Sequence, residues 1–144
     1  MGDIYNQYEN RMLAMNAIDF DDILIKWREL LAYPDVLAVF HDRFTHIMVD
    51  EYQDTNDIQY DIVHKLAAKH RNIAVVGDDW QGIYSWRGAN VGNILSFQKD
   101  YPDATVVKLE QNYRSTKTII AAANAVIKNN KTALEKTLWT DNTL

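Results

Sequence analysis

The chain has 144 residues, 15 Lys+Arg against 20 Asp+Glu, 47% hydrophobic content and no cysteine, which predicts one domain with a real core and excludes a disordered tail, a disulfide scaffold and a Cys-based zinc site. No apolar run approaches ~18 residues, and Met1-Gly2-Asp3-Ile4-Tyr5 lacks a basic region followed by an apolar one, so neither a membrane span nor a secretory signal is expected and the cytoplasm is the expected compartment. A net charge of −5 argues against a basic nucleic-acid coat, yet residues 1–79 hold 7 basic and 15 acidic side chains while residues 80–144 hold 8 and 5, so the second half is the expected contact for nucleic acid or phosphate.

The first 45 residues read as helical. Leu24, Trp27, Leu30 and Leu31 fall on one face of a segment that starts near Asp19, a suitable N-cap, and Asp19-Asp21-Asp22 reads as a solvated helix start. Pro34 opens a short helix through Val36, Leu37 and Phe40. The period then changes. Ile47-Met48-Val49 predicts a buried strand that ends in Asp50-Glu51, and Asn56 to Lys69 predicts a helix with Ile58, Ile62, Leu66 and Ala67 on one stripe. Ile73 to Val76 predicts a second strand closed by Gly77-Asp78, followed by a Gly-punctuated loop from Asp79 to Asn90 and a short helix around Ile94 to Phe97. Val106 to Leu109 predicts a third strand, and Thr118 to Lys128 a helix rich in Ala and Ile. Strands alternating with helices predict an α/β fold with a parallel sheet.

In such a sheet, ligands bind at the carboxyl ends of the strands. Two successive strands end there in acids, Asp50-Glu51 and Asp78-Asp79. Carboxylates so placed can hold a hard cation such as Mg²⁺ or orient a water for attack, or can simply terminate strands at solvent. The loop from Gly77 to Ala89 carries Trp80, Gln81, Tyr84, Trp86 and Arg87. Exposed rings beside an arginine suit stacking on single-stranded bases, and the same rings could equally cap the sheet as core. Gly77 and Gly82 have the glycine spacing of a phosphate-binding P-loop, but Ile83-Tyr84 stands where Lys and Ser/Thr are required, so the loop cannot do that work. His41, His46, His64 and His70 show no metal spacing and read as surface or packing residues.

Val49-Asp50-Glu51-Tyr52-Gln53-Asp54-Thr55-Asn56 resembles motif II, the Walker B segment, of UvrD/PcrA/Rep-type superfamily 1 DNA helicases. Val75 to Asn90 resembles their motif III, and Leu109-Glu110-Gln111-Asn112-Tyr113-Arg114-Ser115-Thr116 their motif IV. Phe20-Asp21-Asp22 and Leu138-Trp139-Thr140 match flanking phrases, so the resemblance runs from about residue 5 to 142. It departs at Trp80, where an acid is commoner, and at Gly82, where Ser is common.

The resemblance implies roles residue by residue. Asp50 would hold Mg²⁺ through its water shell, and Glu51 would activate the attacking water. Gln53 would hold the polar network of the nucleotide site, and Gln81 would sense the γ-phosphate and link hydrolysis to DNA contact. Tyr84, Trp86 and Arg87 would meet single-stranded DNA. Tyr113 would stack on adenine, and Arg114 would act on the γ-phosphate as an arginine finger.

The implied fold is a partial three-layer RecA-like P-loop NTPase α/β fold, with residues 1–105 as the later part of the first lobe and 106–144 as the start of the second. The implied activity is ATP-dependent DNA helicase and translocase action with 3′ to 5′ polarity, using ATP and Mg²⁺. The family's P-loop, adenine-contacting glutamine segment and motifs V and VI find no counterpart in these 144 residues. The segment alone is therefore expected to be inactive and to need the rest of a helicase chain. A non-enzymatic module for single-stranded nucleic acid, or a truncated helicase relic, is the first alternative, and a metal-dependent hydrolase or nuclease built on Asp50, Glu51 and Asp78 the second. An unpaired sheet edge in half a lobe raises the expectation of self-association.

Overall fold

The computed structural model describes residues 2–130 and 134–143. The chain divides into two compact units, Met1–Val49 with Asn56–Val75, and Asp50–Thr55 with Val76–Leu144.

The first unit contains α1 (Gly2–Ala14), α2 (Phe20–Leu30), α3 (Pro34–Arg43), β1 (Ile47–Val49), α4 (Asp57–Ala67) and β2 (Ile73–Val75). Local chemistry sets the helix starts. Asp22 N–H donates to Asp19 Oδ1 at 2.8 Å and Asp19 N–H to Asp22 Oδ2 at 3.5 Å, a reciprocal cap that satisfies two amides with no intrahelical partner. Asn56 and Gln59 cap α4 in the same way, at 2.9 and 3.0 Å. Tyr33 caps α3 without a side-chain bond, and Pro34 occupies its first turn.

Leu31, Ile62 and Leu66 form the buried cluster of this unit, with Leu24, Trp27, Leu37, Phe40, Ile47 and Ile58 packed around it. Full burial of each such aliphatic chain stabilises by roughly 1.5–3 kcal/mol. The sequence stripe was correct for Leu24, Trp27 and Leu31, whereas Leu30 is exposed. The helix delivers its apolar arc at Leu24, Trp27 and Leu31, a spacing of three then four, and Leu30 points off that line. His41 Nε2 donates to Lys65 O and His70 Nε2 to His41 O, both at 2.8 Å, so these two histidines pack α3 against the end of α4. β1 and β2 pair in parallel, Ile47 with Ile73 and Val49 with Val75, as strands joined through a helical crossover do.

The second unit begins with a 3₁₀ turn at Tyr52–Asp54 and contains further 3₁₀ turns at Asp79–Gln81 and Ser85–Arg87, then α5 (Gly92–Asp100) and α6 (Lys117–Ile127). Fully buried Tyr52 packs edge-on against Phe97 of α5, ring centroids 5.8 Å apart, and Phe97 stacks on Tyr101 at 4.9 Å. Asn93, also buried, donates to both the carbonyl and the hydroxyl of Thr55 at 3.1 Å. Buried polar groups are tolerated only when paired in this way.

The expected third strand does not form among the described residues, where the sheet has two strands. Val106, Val107 and Leu109 have strand-forming side chains but are 55%, 73% and 81% exposed. A strand is a ladder of backbone bonds, and among the described residues the backbone pairing nearest this segment is a single parallel bridge just beyond it, Gln111 with Trp139. What the structure supports is an α/β arrangement with a small parallel sheet.

Candidate active site and nucleic-acid interface

At the end of β1 the chain turns sharply through Glu51, which adopts the left-handed conformation, φ 50° and ψ 41°. For a residue with a Cβ this costs roughly 1–2 kcal/mol, and such strain collects at functional positions. Asp50 Oδ1 accepts the Glu51 N–H at 2.9 Å, which helps hold the turn. Both carboxylates remain exposed, while the following 3₁₀ turn buries Tyr52 and Gln53 beneath them.

Gln53, only 1% exposed, is the hub of the site. Its Nε2 donates to Glu51 Oε2 at 2.7 Å, and its Oε1 accepts the Asp78 N–H at 2.9 Å. This amide therefore joins the acids that follow β1 to those that follow β2. Gly77 makes the approach possible: a Cβ built there would lie 2.5 Å from Gln53 Oε1 and 2.8 Å from Ile94 Cδ1. Asp78 in turn accepts Gln81 Nε2 at 2.9 Å on Oδ2 and caps the 3₁₀ turn through Trp80 N–H at 3.0 Å. Asp50, Glu51, Gln53 and Gln81, predicted from sequence, are thus brought into one connected group.

The second acid pair differs from the cation-binding expectation. Asp78 Oδ1 and Asp79 Oδ1 both accept from Lys136 Nζ, at 2.5 and 2.7 Å, and Asp79 Oδ2 accepts Leu134 N–H at 2.7 Å. One ammonium already pairs with both carboxylates, offsetting one of their two charges and occupying an oxygen of each. They are therefore less available to a hard cation, and a nuclease centre that includes Asp78 shares one of its three acids with Lys136. Burial pushes the Asp78 carboxyl up, but bonds from Lys136, Gln81 and the Trp80 N–H outweigh it and hold the group below the usual carboxylate range. Trp80 lies under the same ammonium, its ring centroid 4.6 Å from Lys136 Nζ, and its indole N–H donates to Leu134 O at 3.3 Å. The unusual tryptophan packs inside this clasp.

Tyr84 and Trp86 are 40% and 73% exposed, so they are not core caps. Arg87 Cζ sits 5.6 Å from the Tyr84 ring centroid and 4.6 Å from that of Trp86, which fixes an aromatic–cation surface at the site's flank. Tyr113 and Arg114 occupy a separate exposed loop. Asn112 Oδ1 accepts the backbone N–H groups of Arg114 and Ser115 at 2.9 and 2.7 Å, and Tyr113 donates its hydroxyl to Gln111 Oε1 at 2.8 Å. Among the described residues no hydrogen bond or ion pair joins Tyr113 or Arg114 to the Glu51–Gln81 group.

Among the described residues no cluster of three or more His, Asp or Glu forms a ready metal cage. Exposed Asp50 and Glu51 are nonetheless hard oxygen donors, the kind Mg²⁺ takes while keeping most of its water. No helix among the described residues is long and apolar enough to cross a membrane. Sequence reasoning missed Lys136, whose partners lie more than 55 residues away in the chain. The only local signal was a cation just ahead of the matched phrase Leu138-Trp139-Thr140.

The family profile of the UvrD/REP helicase N-terminal domain matches residues 1–102. The chain is 52% identical over 139 residues to DNA helicase II of Rickettsia typhi, covering 96% of this chain and 21% of the relative. It is 51% identical over 143 residues to the ATP-dependent DNA helicase PcrA of Bacillus subtilis, covering 99% of this chain and 19% of the relative. Against PcrA of Staphylococcus aureus the identity is 52% over 141 residues, 97% of this chain and 19% of the relative. The chain spans about one fifth of the length of these relatives.

Proposed function

Because the chain belongs to the UvrD/REP helicase N-terminal domain family, we propose that it is the part of an ATP-dependent DNA helicase that carries motifs II, III and IV, in which hydrolysis of ATP drives 3′ to 5′ movement on single-stranded DNA. The observation that carries this reading is the Gln53 bridge, which ties Glu51 to the Asp78–Gln81 turn through bonds of 2.7 and 2.9 Å. A water-activating acid and a γ-phosphate sensor must move together if hydrolysis is to be reported to a DNA-contacting loop, and a buried amide linking them serves that end.

In this reading Glu51 takes a proton from the attacking water on its carboxylate, with Gln53 fixing the orientation of that carboxylate. Asp50 would hold Mg²⁺ through its water shell, and the ion would offset the charge of the ATP phosphates. Gln81, held by Asp78, faces the terminal phosphate. Tyr113 stacks on adenine, and Arg114 acts on the γ-phosphate as the finger that stabilises charge developing in transfer. Tyr84, Trp86 and Arg87 receive bases of the single strand.

The proposed organisation is residues 1–105 as the later part of a first RecA-like lobe and 106–144 as the opening of a second. The phosphate cradle then comes from another part of a helicase chain, and the natural compartment is the cytoplasm. The purified 144-residue protein is expected to show no Mg-ATPase activity above background. Substantial activity that disappears in Glu51→Gln would overturn that expectation. The exposed segment of Val106, Val107 and Leu109 supports self-association of the isolated chain. Sedimentation at several concentrations should show it, and a strictly monomeric result counts against it.

A second reading, a non-enzymatic binding module for single-stranded nucleic acid, is favoured by one observation, the exposed Tyr84–Trp86–Arg87 surface. Oligonucleotide titration followed by tryptophan fluorescence should show salt-dependent quenching. No quenching at low salt removes the module reading.

A further inference from the structure

Lys136 lies outside the residues given roles above, yet it pairs with two acids of the candidate site. Its ammonium reaches Asp78 and Asp79 at 2.5 and 2.7 Å and covers the Trp80 ring at 4.6 Å, with 15% of its side chain exposed. Asp79 retains 3% exposure and Asp78 27%, so the ion pairs are largely withdrawn from solvent. The backbone of the same segment adds two bonds, Leu134 N–H to Asp79 Oδ2 and Trp80 indole N–H to Leu134 O.

These contacts extend the Gln53 bridge into a continuous chain. Lys136 holds Asp78 Oδ1, Asp78 Oδ2 holds the Gln81 amide, Asp78 N–H holds Gln53 Oε1, and Gln53 Nε2 holds Glu51 Oε2. Asp78 uses one carboxylate oxygen on each side, so rotation of its carboxylate toward or away from Lys136 necessarily moves the partner of Gln81. Every member lies in the second unit.

We infer that Lys136 is a positioning residue for the phosphate-sensing Gln81, acting through the Asp78 carboxylate and clasping the segment ahead of Leu138-Trp139 onto the turn Asp79–Gln81. The inference rests on the helicase reading for the role of Gln81, while the clasp itself stands on the geometry alone. Breaking one side of a largely buried pair leaves two carboxylates facing each other without a cation, which is a strong reason for the turn to rearrange. Arginine can reach the same oxygens and keep the charge, although its planar fork does not reproduce the single-point contact.

The test has two arms. In the 144-residue chain, NMR follows the Asp78 carboxyl through a pH titration and the Gln81 side-chain amide at fixed pH, for the unsubstituted protein, Lys136→Met, Lys136→Gln and Lys136→Arg. The expected result is an upward shift of the Asp78 titration and a displaced, faster-exchanging Gln81 amide in the Met and Gln variants, with Arg restoring most of both. Unchanged Asp78 and Gln81 signals in folded Lys136→Met or Lys136→Gln overturn the inference, and Arg serves as the readout should the neutral variants fail to fold: its signals must stay near those of the unsubstituted chain.

In the intact helicase, Lys136→Met is expected to lower kcat for DNA-stimulated ATP turnover about tenfold with KM for ATP within about twofold, rescued by Lys136→Arg. Unchanged kcat overturns the positioning role. Glu51→Gln run alongside separates the two failures, because retained turnover in that variant rejects the helicase assignment of the site and leaves the NMR arm to judge the clasp.

Discussion

Replacing Gln53 is the sharpest perturbation of the site that leaves its surface untouched. Gln53→Leu keeps the approximate volume of a side chain that is 1% exposed but removes a donor 2.7 Å from Glu51 Oε2 and an acceptor 2.9 Å from Asp78 N–H. The bond to ionised Glu51 is discounted because that carboxylate is exposed, and the neutral one is worth about 0.5–1.5 kcal/mol. Leaving the Asp78 N–H without its partner adds about 1–3 kcal/mol. Together these give an expected loss of roughly 1.5–4.5 kcal/mol, offset in small part by the extra apolar burial of leucine. Urea unfolding with tryptophan fluorescence measures the total, read from the midpoint at unchanged m-value, and hydrogen exchange at the Asp78 amide reports the local bond.

Gln53→Glu provides a control with a defined sign. It keeps the acceptor for Asp78 N–H but sets a second carboxylate against Glu51, so its destabilisation should be smaller near pH 4, where the pair can share a proton, than at pH 8. A loss below about 0.5 kcal/mol in Gln53→Leu, with the Asp78 amide as protected as before, refutes the claim that this amide holds the two turns together.

Gly77→Ala should destabilise by about 1–3 kcal/mol in the same unfolding assay, since the new Cβ would press on Gln53 Oε1 and the Tyr52 backbone, neither free to withdraw. Leu66→Ala, in the cluster with Leu31 and Ile62, should cost about 2–5 kcal/mol while leaving the Gln81 and Asp78 amide signals in place. Asp78 has its folded pKa depressed, so its stabilisation is complete above the unfolded value near ~4 and is lost as pH falls through the folded value. Asp78→Asn should therefore flatten the acid limb of stability against pH in that window, and an unaltered acid limb contradicts the assignment.

The parts of the fold set by local chemistry were legible in the sequence. Asp19 announced its helix because a capping side chain needs only its own next turn, and Ile58, Ile62 and Leu66 declared a buried face by spacing alone. Val106 to Leu109 misled because strand propensity describes side chains, whereas a strand exists only where a second backbone supplies the ladder. At the candidate site, the motifs singled out Asp50, Glu51 and Gln81, and the structure brings these three together. The left-handed backbone of Glu51 and the clasp of Lys136 on Asp78 could not be read in this way, since the first depends on how the turn after β1 is buried and the second joins residues 58 apart. Trp80 looked like a departure at a coupling loop, and its reason became visible only with the ammonium that lies on its ring.

The central claim is that Glu51, oriented by Gln53, is the base of an ATP-hydrolysing site. It is tested most directly by measuring DNA-stimulated ATP turnover and nucleotide binding of the intact helicase with Glu51→Gln. That substitution preserves the shape of the side chain and its ability to accept from Gln53 while removing its capacity to take a proton. A fall in kcat of at least about 10²-fold, the lower end of what a positioned general base contributes, is expected, with ATP and single-stranded DNA still bound. Turnover within a few-fold of the unsubstituted enzyme would contradict it.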